Sequence, residues 1–145
     1  MTQIASEPKS FRIARETGPG AGVETAARLA EDVAAAFGPR DESPFALAAH
    51  DASGGWIGGI KGVIHWRWLY VAQFFVAPDW RGKGVGRALL EEAETYAREK
   101  DGVGIYLDTF SPTAERFYRA RGFGVAGRIE NFPPGAARTF LSKGL

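Results

Sequence analysis

Residues 81 to 87 read Arg81-Gly82-Lys83-Gly84-Val85-Gly86-Arg87, glycines alternating with cations and one valine. The run follows an apolar, strand-like stretch, Trp68 to Val76. It opens into Val85, Leu89, Ala93, Tyr96 and Ala97 at helical spacing, with Leu90 beside them. A helix that starts in such a turn leaves its first amides without intrahelical acceptors, at the positive end of its dipole. Glycine lets backbone approach a ligand with no Cβ in the way. The chemistry this favours is binding of a phosphate or pyrophosphate. Arg81, Lys83 and Arg87 add positive charge; the alternative is a turn that needs glycine only to enter a helix. The P-loop pattern fails, because Gly84 rather than Ser or Thr follows Gly82-Lys83. The dinucleotide fingerprint fails too, since its third glycine would fall on Arg87 or on Leu89.

Other chemistries are narrowed by what the chain contains. It has no cysteine, which removes a disulfide framework, a thiolate metal site and a sulfur acyl-enzyme. Two histidines, His50 and His65, are too few for a histidine metal centre, so no metal is expected. A net charge of +1 asks for no nucleic acid and no anionic membrane. No apolar run is long enough for a transmembrane helix, and Met1 to Ser10 hold no signal-like stretch. A cytoplasmic protein is the expectation.

The elements that must position the glycine turn can be read from pattern. At 145 residues one domain is expected, over residues 10–145, with 1–9 as a loose tail. Phe11 to Arg15 alternate like a short strand. Val23 to Phe37 form an amphipathic helix, stopped by Gly38-Pro39. Phe45–His50, Trp56–Ile64 and Trp68–Val76 read as strands, the last two as an antiparallel hairpin. After the glycine-turn helix, Gly102 takes the place of a C-terminal glycine. Val103–Thr109 reads as a strand. Ser111-Pro112 is an N-cap with proline at the first position of a third helix, which carries Ala114, Phe117 and Tyr118 and stops at Gly122. Phe123–Ile129 and Arg138–Leu141 close the domain. The fold class is α/β (α+β): a mixed, largely antiparallel sheet of about six to seven strands flanked by helices.

On these residues a family resemblance rests. Val76 to Leu90, with Arg81, Gly84 and Gly86 meeting the pattern Arg/Gln-x-x-Gly-x-Gly/Ala, resembles the acetyl-CoA signature of the GNAT acetyltransferases. Ala114 to Phe123 resembles the family's second segment, Ala-x-x-Phe-Tyr followed by Gly-Phe. The element order from Phe11 to Leu141 is similar as well. The Leu107–Ser111 and Phe132–Gly135 stretches are similar to a group of small bacterial-type members of the family.

The resemblance implies acetyl-CoA as cosubstrate. The pantetheine arm would lie along the strand end Phe74, Phe75 and Val76, whose main chain would also polarise the thioester carbonyl. The pyrophosphate would sit on the amides from Gly82 through Lys83, Gly84, Val85 and Gly86 to Arg87, and Lys83 or Arg87 would face the 3′-phosphate. Tyr118 would be the general acid for the departing thiolate; read without the resemblance, it is a core tyrosine. Ser111 stands where many members have an asparagine that touches the cofactor arm, although capping is the default role for serine there. Many members place a glutamate base on the strand before the turn, and Tyr70 to Val76 hold no carboxylate. Asp108 and His65 stay open as alternatives, along with a water relay or no base at all.

The expected function is direct, sequential transfer of acetyl from acetyl-CoA to a primary amine of a small molecule or peptide. A non-catalytic CoA-binding sensor or interaction module is the competing reading. A homodimer is implied by the family. Trp56, Trp66, Trp68, Tyr70, Phe74 and Phe132 are too many for one sheet face. Most belong to the core, with one or two left for an acceptor pocket or dimer surface. The Gly18–Gly22 segment and the Glu130–Ala137 loop are the expected specificity elements. Arg116, Arg119 and Arg121 read as a solvated helix face.

Overall fold

The computed structural model describes residues 9–145 and divides into two compact units at Pro39/Arg40. The expected N-terminal tail lies almost wholly outside the described residues. In the first unit the expected strand at Phe11–Arg15 does not form. Those residues carry no regular structure, and Phe11 and Ile13 are 85% and 89% exposed. Two apolar residues in alternation form a strand only if a neighbour supplies the ladder, and none does among the described residues. Helix α1 spans Val23–Phe37, carries an exposed Glu24–Arg28 pair at 2.8 Å, and buries none of its residues.

The second unit is one six-stranded sheet with two helices. Its strands are β1 (Ser43–His50), β2 (Trp56–His65), β3 (Trp68–Val76), β4 (Gly104–Thr109), β5 (Gly124–Glu130) and β6 (Ala137–Gly144), in the order β1-β2-β3-β4-β6-β5. Every neighbouring pair is antiparallel except β3 and β4, which run parallel. That parallel step requires a crossover, and helix α2 (Val85–Glu99) supplies it. Leu89, Leu90, Ala93 and Ala97 of α2 pack on Phe45, Ile60, Ile64, Leu69, Val71, Ile105, Leu107 and Leu141, the core of the unit. Each such leucine or isoleucine contributes about 1.5–3 kcal/mol by leaving water. Among the described residues no helix is long and apolar enough to cross a membrane.

Two local readings shift. The β2–β3 hairpin turns on Trp66 and Arg67, both at positive φ (47° and 67°), so His65 belongs to the strand. The left-handed residue ending α2 is Asp101 (φ 57°), not Gly102. Gly102 follows it and donates its amide to the Ala97 carbonyl at 2.7 Å while Asp101 donates to Arg98 at 3.0 Å, which is a Schellman closure. Gly102 is needed for closeness, since a Cβ there would stand 2.6 Å from the Ala97 carbonyl oxygen.

Candidate active site

The site begins with an irregularity in β3. Lys61 pairs with Gln73 and Gly62 with Val71, so Ala72 is an extra residue, a β-bulge. Gly62 lies opposite it, and a Cβ there would stand 1.8 Å from the Tyr70 carbonyl oxygen. The bulge reverses the strand's alternation. Before it Leu69 and Val71 face the core; after it Phe74 and Val76 do, and Phe75 turns to the other face. The last β3–β4 pair is Val71 with Leu107. Beyond it β3 continues to Val76 beside β2, while β4 continues to Thr109 beside β6. The two parallel strands therefore part, and among the described residues the β4-facing edge of Ala72–Val76 has no strand partner.

The glycine turn closes one end of this gap. A single 3-10 turn, Pro78–Trp80, leads into Gly82 and Gly84, at φ 73° and 88°. A Cβ at either would meet nothing within 4 Å, so the glycines serve backbone geometry and an open surface rather than packing. The first bonded amide of the helix is that of Ala88, which donates to the Gly84 carbonyl at 3.0 Å. The amides from Gly82 to Arg87 precede it and have no acceptor among the described residues. The cations around them differ in role. Arg81 donates from Nε to the Val76 carbonyl at 2.9 Å and lies over the Phe75 ring, tying the strand end to the turn. Lys83 lies over Trp80. Arg87 pairs with Glu91 at 2.9 Å and lines a cavity of about 480 Å³ with Glu94, Arg121 and Lys143.

Helix α3 (Pro112–Arg119) closes the opposite side. Ser111 is its N-cap, accepting from the Ala114 amide at 3.2 Å, so the hydroxyl is engaged in capping. Tyr118 is 7% exposed, its ring held edge-on by Phe74 at 6.2 Å and Phe117 at 5.5 Å, with Phe123 at 5.7 Å. Its hydroxyl has no hydrogen-bond partner among the described residues. Burial, and then the charge of Asp108, push the phenol up to about 12. The structure thus brings Phe74, Val76, the glycine turn and Tyr118 around one gap. Phe75 contributes main chain only, because its ring stacks on Trp56 at 6.0 Å on the far face. Arg121 leaves the expected solvated face: its guanidinium lies 3.7 Å from the centre of the Phe117 ring and donates to the Phe117 carbonyl.

His65 stands opposite Trp68, eight residues along β3 from Val76, which is about 25 Å away. That removes it from the site. Asp108 sits on β4 just past the last β3–β4 pair. Tyr70 donates to its Oδ1 at 2.9 Å, and Arg138 approaches Oδ2 at 3.5 Å. Burial and this bond raise the Tyr70 phenol above its usual value. Tyr70 and Arg138 were missed in this role because they are 38 and 30 residues from Asp108; no local spacing links them. Among the described residues no group of His, Asp and Glu is placed to hold a metal ion.

Residues 11–123 match the Acetyltransferase (GNAT) family. Acetyltransferase Atu2258 of Agrobacterium fabrum is 34% identical over 109 residues, 75% of this chain and 80% of that one. Blasticidin-S acetyltransferase of Streptomyces morookaense is 37% identical over 89 residues, 61% of this chain, and the match spans 65% of that relative's length. A Bacillus cereus acetyltransferase crystal structure superposes with a TM-score of 0.85 at 25% identity, covering 92% of this chain and 98% of that one. The chain belongs to the GNAT acetyltransferase family, whose members are acyl-CoA-dependent N-acetyltransferases.

Proposed function

We propose that this protein, as a single domain over residues 10–145, transfers the acetyl group of acetyl-CoA directly to a primary amine of a small molecule or peptide. The observation that carries the reading is the parted β3–β4 edge leading into a glycine turn with free amides. Acetyl-CoA is a pyrophosphate on a long polar arm, and both halves find a fit. The open, unpartnered amides of Gly82 to Arg87 suit the pyrophosphate, and the free main chain of Phe74, Phe75 and Val76 suits the arm. An amide of that edge would polarise the thioester carbonyl. Arg81 keeps strand end and turn in register, and Lys83 and Arg87 supply charge for the nucleotide's remaining phosphate. Ser111 serves the site by fixing the start of α3.

Tyr118 acts as the acid, and its raised proton affinity defines how. At neutral pH it is fully protonated. Complete transfer from a phenol at about 12 to a thiolate of ordinary pKa near 8.5 would be uphill by about 5 kcal/mol. Its contribution is therefore a hydrogen bond that strengthens as charge gathers on the departing sulfur, a contact worth more in the transition state than before it. The acceptor is a small-molecule amine in the first instance, as the blasticidin-S relative's name supports.

The test is calorimetric titration with acetyl-CoA followed by CoA release against an amine panel. Saturable one-to-one binding and amine-dependent release are expected. No binding at millimolar acetyl-CoA refutes the cofactor site, and binding without release from any amine refutes the transfer.

A further inference from the structure

The strand before the glycine turn carries no carboxylate, so the proton that the attacking amine must lose has no acceptor there. Asp108 reaches the gap from its other wall. It lies on β4 one residue past Leu107, the last residue paired with β3, so its backbone stands where the strands part. Leu107 faces the core, and alternation turns Asp108 to the face of Tyr70 and Tyr106. Its side chain is 14% exposed and its rotamer is held by Tyr70 through Oδ1. A carboxylate offers about four acceptor positions. Among the described residues Oδ2 meets only Arg138, at 3.5 Å, too far for a full hydrogen bond, and so retains lone pairs for a donor. Arg138 itself lies over Phe132, 4.2 Å from the ring centre. Its charge beside Asp108 disfavours a bound ammonium and favours an amine arriving neutral. Tyr118 lies with Leu107 on the core face and Asp108 on the face of Tyr70 and Tyr106, so the two flank the parting strands from opposite sides of the sheet.

We infer that Asp108 is the group that takes the proton from the acceptor amine, with Tyr70 as the residue that positions it; this rests on the transfer proposed above. The amine nitrogen forms a bond to the acetyl carbonyl carbon while an N–H donates to Asp108 Oδ2. The C–S bond breaks, its electron pair leaves on sulfur as the thiolate, and the nitrogen's proton passes to Asp108. The thiolate is stabilised by Tyr118 and takes a proton from solvent, and Asp108 returns its own to solvent. The role differs from simple amine binding because the Oδ2 contact gains strength only as positive charge builds on nitrogen.

The test uses the full chain with whichever amine of the panel supports turnover. Asp108→Asn keeps an acceptor for Tyr70 and removes the base. It is expected to lower kcat about 100-fold or more, with the dissociation constant for acetyl-CoA changed less than twofold. Tyr70→Phe, which leaves the carboxylate but frees its rotamer, is expected to lower kcat about fivefold to tenfold at unchanged KM for acetyl-CoA. Should Asp108→Asn fail to fold, Tyr70→Phe decides alone. Either variant turning over within twofold of the parent overturns the assignment while leaving the transfer standing. A parent protein that binds acetyl-CoA yet acetylates no amine overturns both.

Discussion

Replacing Tyr118 by phenylalanine deletes one oxygen and leaves the ring in its cage of Phe74, Phe117 and Phe123. The lost hydroxyl has no protein partner among the described residues, so no buried group is orphaned, and the melting temperature at neutral pH is expected to stay within a degree or two. Catalysis should suffer instead. A hydrogen bond to a charged group is worth about 1.5–3 kcal/mol, which corresponds to a fall in kcat of about 10- to 150-fold. CoA release can be read with a thiol reagent without background, since the chain contains no cysteine. Alkaline unfolding gives a second readout. The folded phenol titrates near 12 and the unfolded one near 10, so between those values the unfolded chain binds fewer protons and folding weakens as pH rises. The loss reaches about 1.4 kcal/mol at pH 11 and approaches about 3 kcal/mol above pH 12. Tyr118→Phe should escape that loss and gain on the parent in urea melts at pH 11. Turnover within threefold of the parent refutes the acid role, and coincident melts at pH 11 refute the burial that raises the phenol.

Three further substitutions probe the scaffold. Gly62→Ala drives a Cβ into the Tyr70 carbonyl opposite the bulge and is expected to cost about 3 kcal/mol or more in urea melts, the upper end for overpacking; an unmoved midpoint would show that the bulge does not need glycine. Gly84→Glu places a side chain at φ 88° beside the free amides and should abolish acetyl-CoA binding while the circular dichroism spectrum stays that of the parent; unchanged affinity would remove the turn from the cofactor site. Gly86→Ala is the contrasting control. Its Cβ would meet Phe117 and Val76 at ordinary contact distances of 3.5 and 3.7 Å, so stability should rise by about 0.5–1 kcal/mol, with the acetyl-CoA dissociation constant within threefold.

What could be read from sequence was local. The glycine turn, the Ser111 cap and the spacing of Leu89, Leu90, Ala93 and Ala97 are determined within one or two turns of chain, and they formed as read. The alternation of Phe11 and Ile13 was equally local but lacked a partner strand, and strand formation is not a local event. Asp101 and Gly102 exchanged roles because both satisfy the end of α2, and only the approach to the Ala97 carbonyl decides which must be glycine. The Tyr70–Asp108–Arg138 cluster joins strands from distant parts of the chain. It becomes visible only once β4 is known to lie between β3 and β6.

The bulge is the feature that ties these levels together, and its signal was present in the partner strand. A glycine inside a strand marks a bulge or a close backbone approach, and Gly62 interrupts β2 opposite Ala72. Were Ala72 taken into a regular ladder instead of bulged out, alternation would turn Phe75 to the core and Phe74 away from Tyr118. The inserted residue puts Phe74 against the Tyr118 ring, sends Phe75 out to Trp56, and does so where β3 leaves β4. The bulge thus sets which aromatic ring packs on Tyr118, and it lies where the free backbone edge begins. The roles proposed for Tyr118 on α3 and Asp108 on β4 depend on this parting, since a continuously paired β3 and β4 would leave no free main-chain edge between them.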